Sequence, residues 1–144
     1  MKLWLLWVCL LVATSLVLFA CTKGVEEPTG LEDKTWLLES YGEHDSLQEV
    51  LANTGVTAIF ESAEGRVHGS AGCNSYSGDY QVSKNELSIP LIANTEMYCL
   101  EPEGVMEQET QYLKILQIAE SYEVSDGMLR ITAGSQVLVF SAEE

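Results

Sequence analysis

Apolar and polar residues alternate in short runs along most of the chain after residue 34. Runs with this period of two predict β-strands that have one buried face, separated by turns. The strands predicted in this way cover residues 35–42, 56–62, 66–71, 78–83, 86–90, 93–99, 121–125, 128–133 and 136–142. Asp126-Gly127 favours a tight hairpin between two of them. Residues 43–55 are expected to form a loop with a single helical turn.

One segment changes to a helical period. Met106, Glu109, Leu113 and Leu116 recur at spacings of three and four residues, which predicts a helix over about 102–119. Pro102 suits the first turn of such a helix because proline lacks the amide hydrogen that this turn leaves unpaired. The sequence therefore predicts a mainly β (α+β) fold: a small antiparallel curved sheet or barrel-like fold of about eight strands with one packed helix.

Four carboxylates, Glu101, Glu103, Glu107 and Glu109, crowd the beginning of the predicted helix. We interpret them as a solvated face that complements the positive end of the helix dipole. A calcium site is the alternative, although the chain contains no D-x-D-x-D-G loop.

The first twenty residues have the layout of a secretory signal. Lys2 precedes an apolar run from Leu3 to Ala20, and the run ends on a small residue. The four residues Leu18 to Cys21, "LFAC", resemble a bacterial lipobox, which implies cleavage before Cys21 and lipidation of that cysteine. An uncut signal anchor is the alternative, since eighteen apolar residues are about enough to span a bilayer.

The predicted organisation is thus a lipoprotein signal peptide at 1–20, a lipidated flexible tether at 21–33 and one domain at 34–144. Two or three acyl chains hold a protein firmly on a membrane. We expect an extracytoplasmic, lipid-anchored protein of the cell envelope. Thr22 stands where aspartate favours inner-membrane retention in some didermous bacteria. This favours the outer membrane, facing the periplasm, if the organism has one.

The net charge of the 144-residue chain is −15, and removal of residues 1–20 takes away Lys2 alone among the charged residues, leaving −16. Such a charge disfavours nucleic acid as a partner and disfavours lying flat on anionic lipid. The expected partners are the membrane, through the lipid anchor, and an unknown envelope protein or small ligand.

Cysteine counting singles out one pair. Besides the lipidated Cys21, the exported domain keeps only Cys73 and Cys99, and an oxidising compartment favours a disulfide between them. Closing this loop would stabilise the domain by about 3 kcal/mol. Two free buried thiols, or half of a metal site completed by His44 and His68, are the alternatives.

The turn that contains Cys73 is rich in small polar residues. Gly72 and Gly78 permit tight or left-handed backbone angles, and Asn74 can bond its own backbone. Tyr76 and Tyr80 could frame the turn.

The search for catalytic residues gives little. His44-Asp45-Ser46 contains the residue types of a catalytic triad, but sequence neighbours rarely face one another, and the segment is better explained as a turn. The chain has no G-x-S-x-G, glycine-rich phosphate loop or H-E-x-x-H motif. We expect no enzyme, no cofactor and no metal.

Several motifs occur in one order along the domain: "GCNSYSGDY" with Gly72, Asn74, Gly78 and Tyr80, then "TEMYC" with Thr95, Met97 and Cys99, then Glu109 to Leu116. This order resembles the META domain, or HslJ-like, family over about residues 33–141. The resemblance implies a compact, mainly antiparallel fold with a helix, found often in bacterial envelope lipoproteins. It implies no catalytic residue, and it implies structural roles for the motif positions. Members are loosely linked with stress tolerance.

Two functions from different classes follow. The first is a non-enzymatic, lipid-anchored envelope protein that acts as a binding or stress-tolerance module. The second is a carrier of a small apolar ligand in a barrel-like cavity, since barrel mouths are common ligand sites.

Overall fold

The computed structural model describes residues 30–143, and within that range it contains eleven strands and one α-helix. In chain order the elements are β1 (Thr35–Glu43), β2 (Ser46–Glu49), β3 (Thr57–Glu61), β4 (Arg66–Ser70), β5 (Ser75–Asp79), β6 (Gln81–Ser83), β7 (Glu86–Ser88), β8 (Ile92–Asn94), α1 (Val105–Gln117), β9 (Ser121–Ser125), β10 (Met128–Ala133) and β11 (Gln136–Ala142). The predicted signal peptide, Cys21 and most of the predicted tether lie outside the described residues.

All the strands belong to one antiparallel sheet, which curls into a half-barrel. The order across the sheet is β6-β7-β9-β10-β11-β1-β3-β4-β5-β8, and β2 pairs separately with the second half of β1. Strand β1 shifts register between Leu38 and Ser40, which returns Tyr41 to the buried face. The predicted mainly β class with one packed helix is therefore confirmed, although the sheet has eleven strands rather than about eight.

The additional strands have local explanations. Strand β2, in the segment predicted to be a loop, is exposed at all four positions, so the sequence shows no alternation there. The predicted strand 78–83 is two strands, because the chain breaks at Tyr80, whose amide donates to the Gly65 carbonyl instead. The strand predicted at 93–99 is Ile92–Asn94, and residues 95–99 belong to no regular element.

The helix is shorter than the predicted 102–119 and covers Val105–Gln117. Gly104, the residue that precedes its first turn, has a φ of +88°, a left-handed angle that glycine adopts at no steric cost. Pro102 follows a cis peptide bond and lies outside the helix, so its predicted place in the first turn was wrong.

The core lies in the concave face of the half-barrel, where α1 packs against β1, β10 and β11. Its largest fully buried side chains are aromatic: Trp36, Phe60, Tyr112 and Phe140. The rings of Tyr112 and Phe140 meet edge to face at 6.3 Å, a favourable arrangement for aromatic pairs. The side chains of the helix therefore pack into the concave face of the sheet.

The packed region begins before the predicted boundary at residue 34. Leu31 is fully buried, and its carbonyl accepts a hydrogen bond of 2.7 Å from the indole of Trp36. The Asp33 amide donates to the Phe60 carbonyl at 2.8 Å. Residues 31–33, assigned above to the tether, are thus part of the domain. No helix within residues 30–143 is both long and apolar enough to cross a bilayer.

Candidate functional site

The cysteine turn connects β4 to β5 through residues 71–74. The Ala71 amide donates to the Asn74 carbonyl at 2.7 Å, which closes the turn. Gly72 has a φ of +115°, and an added Cβ would lie 3.4 Å from a methyl group of Val105 on α1. Glycine is needed here because other residues rarely adopt this backbone angle.

Cys73 and Cys99 form a disulfide, with their Cα atoms 5.9 Å apart. The bond joins the cysteine turn to the irregular segment after β8, and it confirms the pairing favoured by the sequence. Because both sulfur atoms are used in this bond, the cysteines are neither free thiols nor metal ligands.

Asn74 is 2% exposed and organises the other motif residues. Its amide oxygen accepts hydrogen bonds from the Thr95 hydroxyl and the Met97 amide, each at 2.7 Å. Its amide nitrogen donates to the Met97 carbonyl at 3.0 Å and to Glu109 Oε1 at 2.6 Å. The sequence suggested that this side chain would bond its own backbone. Instead it joins the cysteine turn to the segment after β8 and to α1.

Glu109 reaches the same point from the helix and is 4% exposed. Its Oε2 accepts from the backbone amides of Cys73 at 3.1 Å and Asn74 at 2.7 Å, while Oε1 accepts from the Asn74 side chain. The prediction that Glu109 belongs to a solvated face was wrong. Three donors satisfy this buried carboxylate, as burial of a charged group requires. We call Asn74 and Glu109, with the hydrogen bonds that their side chains make, the clamp.

Gln108 extends the same arrangement to a further loop. Its side-chain oxygen accepts from the Leu51 amide at 2.6 Å, and its nitrogen donates to the Thr54 hydroxyl at 3.1 Å. Two adjacent side chains of α1 therefore hold two loops that are distant in sequence. Neither role was predicted, although a polar pair at the edge of an apolar helical stripe was a usable signal.

Gly78 and Tyr80, the remaining motif positions, lie away from the clamp. A Cβ at Gly78 would be 2.4 Å from the Leu91 carbonyl oxygen, so only glycine allows β8 to lie this close to β5. The Tyr80 hydroxyl donates to the Glu32 carboxylate, and its ring meets that of Phe60 edge-on at 5.2 Å. Burial, reinforced by the bond to Glu32, raises the pKa of Tyr80.

Two tyrosines share a buried site between the sheet and the helix. The hydroxyl groups of Tyr76 and Tyr112 lie 2.6 Å apart, and Tyr76 donates to the Thr57 carbonyl at 2.9 Å. Burial raises the pKa of both side chains. The rise extends the pH range over which both hydroxyls stay protonated and can donate hydrogen bonds.

The histidines lie apart from the clamp residues in the fold. His44 follows β1 and contacts the exposed Asp45 at 3.2 Å, and His68 on β4 contacts Glu61 at 3.1 Å. Ser46 begins β2, and its partner across the ladder is Glu43. Among the residues from 30 to 143, no three His, Cys, Asp or Glu side chains are grouped so that they could hold a metal ion.

Comparison with protein families shows that the sequence pattern of the META domain matches residues 29–144. The chain belongs to the META domain family. In this META domain the cysteine turn, the segment after β8 and the helix carry the motif, and the clamp joins all three. A comparison with curated proteins gave no match.

Solved structures share the META domain's architecture at low sequence identity. An NMR structure of a protein from Burkholderia xenovorans is 23% identical, with a TM-score of 0.67 over 78% of this chain and 83% of that one. A second NMR structure is also 23% identical, with a TM-score of 0.62 over 80% and 93%. A crystal structure of a DUF4847 family protein from Bacteroides vulgatus is 14% identical, with a TM-score of 0.54 over 82% and 96%. These likenesses concern the fold alone.

Proposed function

We propose that this META domain is a non-enzymatic, lipid-anchored protein that works by binding another component of the cell envelope. One observation carries the proposal: the polar residues of the family motif are engaged in holding the fold. Asn74 uses both ends of its side-chain amide, and Glu109 uses both carboxylate oxygens, in bonds to the protein itself. Because these motif side chains are already bonded within the fold, they favour a function located elsewhere on the outer surface of the domain.

The lipid anchor would set how far the domain reaches. Cys21 precedes Gly30, the first described residue, by nine positions. Nine fully extended residues span at most roughly 30 Å. A domain tied to lipid at Cys21 would therefore stay close to the membrane and meet partners that are themselves in the envelope.

Metabolic labelling with an alkyne-bearing fatty acid in a Gram-negative host tests the anchor. The full chain should take up the label and fractionate with the outer membrane, and Cys21→Ser should abolish both. Cys9→Ser is the matched control, because that cysteine lies in the predicted signal peptide and its loss should leave labelling intact. Label that survives Cys21→Ser would contradict the anchor.

A robust hydrolase activity of the purified protein, lost in His44→Ala or His68→Ala, would overturn the non-enzymatic part of the proposal.

A role in stress tolerance makes a separate prediction. Cells that lack the gene should be more sensitive to envelope-damaging agents, and the Cys21→Ser chain should fail to restore resistance.

The second candidate function is that of a carrier for a small apolar ligand. The fully buried aromatic rings in the concave face favour a filled interior over a ligand cavity. Native mass spectrometry separates the two candidates. Extra mass that survives purification and is released on denaturation would favour the carrier, and a bare domain would favour binding at the surface.

A further inference from the structure

Three large apolar side chains are exposed within four residues of one another. Met97 is 57%, Tyr98 76% and Leu100 77% exposed. Isolated exposed apolar residues are normal, but a cluster of this kind is typical of an interaction site. We call residues 97–100 the apolar loop.

The apolar loop is held firmly although it has no regular secondary structure. Asn74 bonds both the amide and the carbonyl of Met97, and Cys99 is tied to Cys73 by the disulfide. A loop that is fixed before it binds loses less conformational freedom on association. The clamp and the disulfide therefore present Tyr98 and Leu100 as preorganised contacts.

A groove lies between the apolar loop and the start of α1. It has a volume of about 300 Å³. Three of its lining residues, Tyr98, Cys99 and Leu100, belong to the apolar loop, and the others belong to the segment that leads into α1: Glu103, Gly104, Val105, Met106 and Glu107. Tyrosine is among the residues that most often dominate binding energy at protein interfaces. Because the lining combines apolar side chains with glutamates, the groove suits a partner segment that has both apolar and cationic side chains.

The chain segment that forms the groove carries charge of one sign, and two of its glutamates, Glu103 and Glu107, line the groove. Between Lys84 and Lys114 the chain has six glutamates and no lysine, arginine or histidine. Four of these, all exposed, surround the apolar loop in sequence: Glu96, Glu101, Glu103 and Glu107. Such a rim attracts cationic groups and repels the surface of anionic lipid.

The apolar loop and the start of the described chain lie at opposite ends of β5. Strand β5 runs from Ser75, next to the clamp, to Asp79, next to Tyr80. Tyr80 contacts Glu32, close to the point where the described chain begins. The loop thus lies at the far end of β5 from the residues that lead to the proposed anchor.

We propose that the apolar loop and its groove bind a cationic, amphipathic segment of another protein. This inference deepens the proposed function and rests on its binding part. Apolar side chains of this segment would contact Tyr98 and Leu100. Its lysine or arginine residues would pair with the exposed glutamates that flank the apolar loop.

The test uses the full chain held in phosphatidylcholine nanodiscs and three labelled 14-residue peptides, made of lysine and leucine, lysine and serine, or glutamate and leucine. Fluorescence anisotropy, corrected for empty nanodiscs, should show tight binding of the lysine–leucine peptide alone. The double variant Tyr98→Ser/Leu100→Ser should weaken binding at least about tenfold. Glu101→Gln/Glu103→Gln should weaken it about threefold or more, and added salt should reduce that difference.

Leu91→Ser is the matched control, because Leu91 is 68% exposed but lies beside the other end of β5. It should bind the lysine–leucine peptide as the unaltered chain does. Equal binding by all the variants, or equal binding of the glutamate–leucine peptide, would overturn the proposal. Attachment to anionic vesicles through Tyr98 and Leu100 would make lipid the occupant and overturn it also.

The two proposals fail separately. Fatty-acid labelling of Cys21 without peptide binding refutes the role of the apolar loop and leaves the anchor in place. Peptide binding without fatty-acid labelling refutes the anchor and supports the loop.

Discussion

Removal of the Glu109 carboxylate should destabilise the domain far more than removal of its exposed neighbour Glu107. Glu109→Ala eliminates three hydrogen bonds to a charged acceptor and leaves the amides of Cys73 and Asn74 without their partner. Bonds to charged groups contribute about 1.5–3 kcal/mol each. Water that enters the vacated space and the released desolvation cost of the carboxylate offset part of this loss. We expect a decrease of about 3–5 kcal/mol in the free energy of unfolding.

Glu109→Gln keeps the size of the side chain and isolates the effect of the acceptor. One carboxylate oxygen becomes an NH2 group, which would face either the Asn74 side-chain nitrogen or the two backbone amides. Rotating the Asn74 amide by 180° does not help, because its nitrogen would then face the Thr95 hydroxyl and the Met97 amide. At least one buried donor stays unpaired, so we expect a loss of about 2 kcal/mol.

Urea unfolding followed by the fluorescence of Trp36 measures these differences, since Trp36 is fully buried and is the only tryptophan after residue 20. Glu107→Ala, on the same helix but exposed, should change the free energy of unfolding by no more than about 0.5 kcal/mol. If Glu109→Ala and Glu107→Ala had equal effects, the clamp would not stabilise the fold.

Three further predictions concern other parts of the structure. The double variant Cys73→Ala/Cys99→Ala should lower the free energy of unfolding by about 3 kcal/mol, with native circular dichroism retained. Gly78→Ala should cost about 1–3 kcal/mol by displacing β8 from β5, whereas Ser77→Ala in the same strand should cost less than about 0.5 kcal/mol; urea unfolding compares them. The raised pKa of Tyr76 and Tyr112 makes the folded chain keep protons that the unfolded chain releases near pH 10. The urea midpoint should therefore hold from pH 7 to 9 and fall as the pH rises above 10, and Tyr76→Phe should reduce that fall.

The sequence predicted those parts of the fold whose signals are local. Alternation of apolar and polar residues located β1, β3, β4 and β9–β11 because each has one face in the core. Strand β2 gave no such signal because all four of its residues are exposed. The break between β5 and β6 at Tyr80 could not be predicted, because it depends on a hydrogen bond from the Tyr80 amide to Gly65, fifteen residues earlier in the chain.

The candidate site likewise has one part that the sequence predicts and one part that depends on contacts between distant residues. The disulfide was predictable because only two cysteines remain once Cys9 and Cys21 are assigned to the signal and the lipid. The clamp was not, because Glu109 and its partners are 35 and 36 residues apart in sequence. The helical period did place Glu109 among the apolar positions Met106 and Leu113, and a carboxylate in an apolar stripe is itself a sign of a buried polar contact.

The distribution of stabilising bonds supports the proposed binding role of the apolar loop. Residues 95–104 form no regular secondary structure, yet the disulfide holds Cys99 and three hydrogen bonds of the Asn74 side chain hold Thr95 and Met97. Tyr98 and Leu100 keep about three quarters of their surface in water, so they contribute little to the hydrophobic stabilisation of the fold. The bonds that stabilise the fold therefore account for the fixed position of this segment. They do not account for the exposure of its large apolar side chains. Loops held rigidly by a scaffold are where proteins place binding residues, and the META motif here supplies the scaffold.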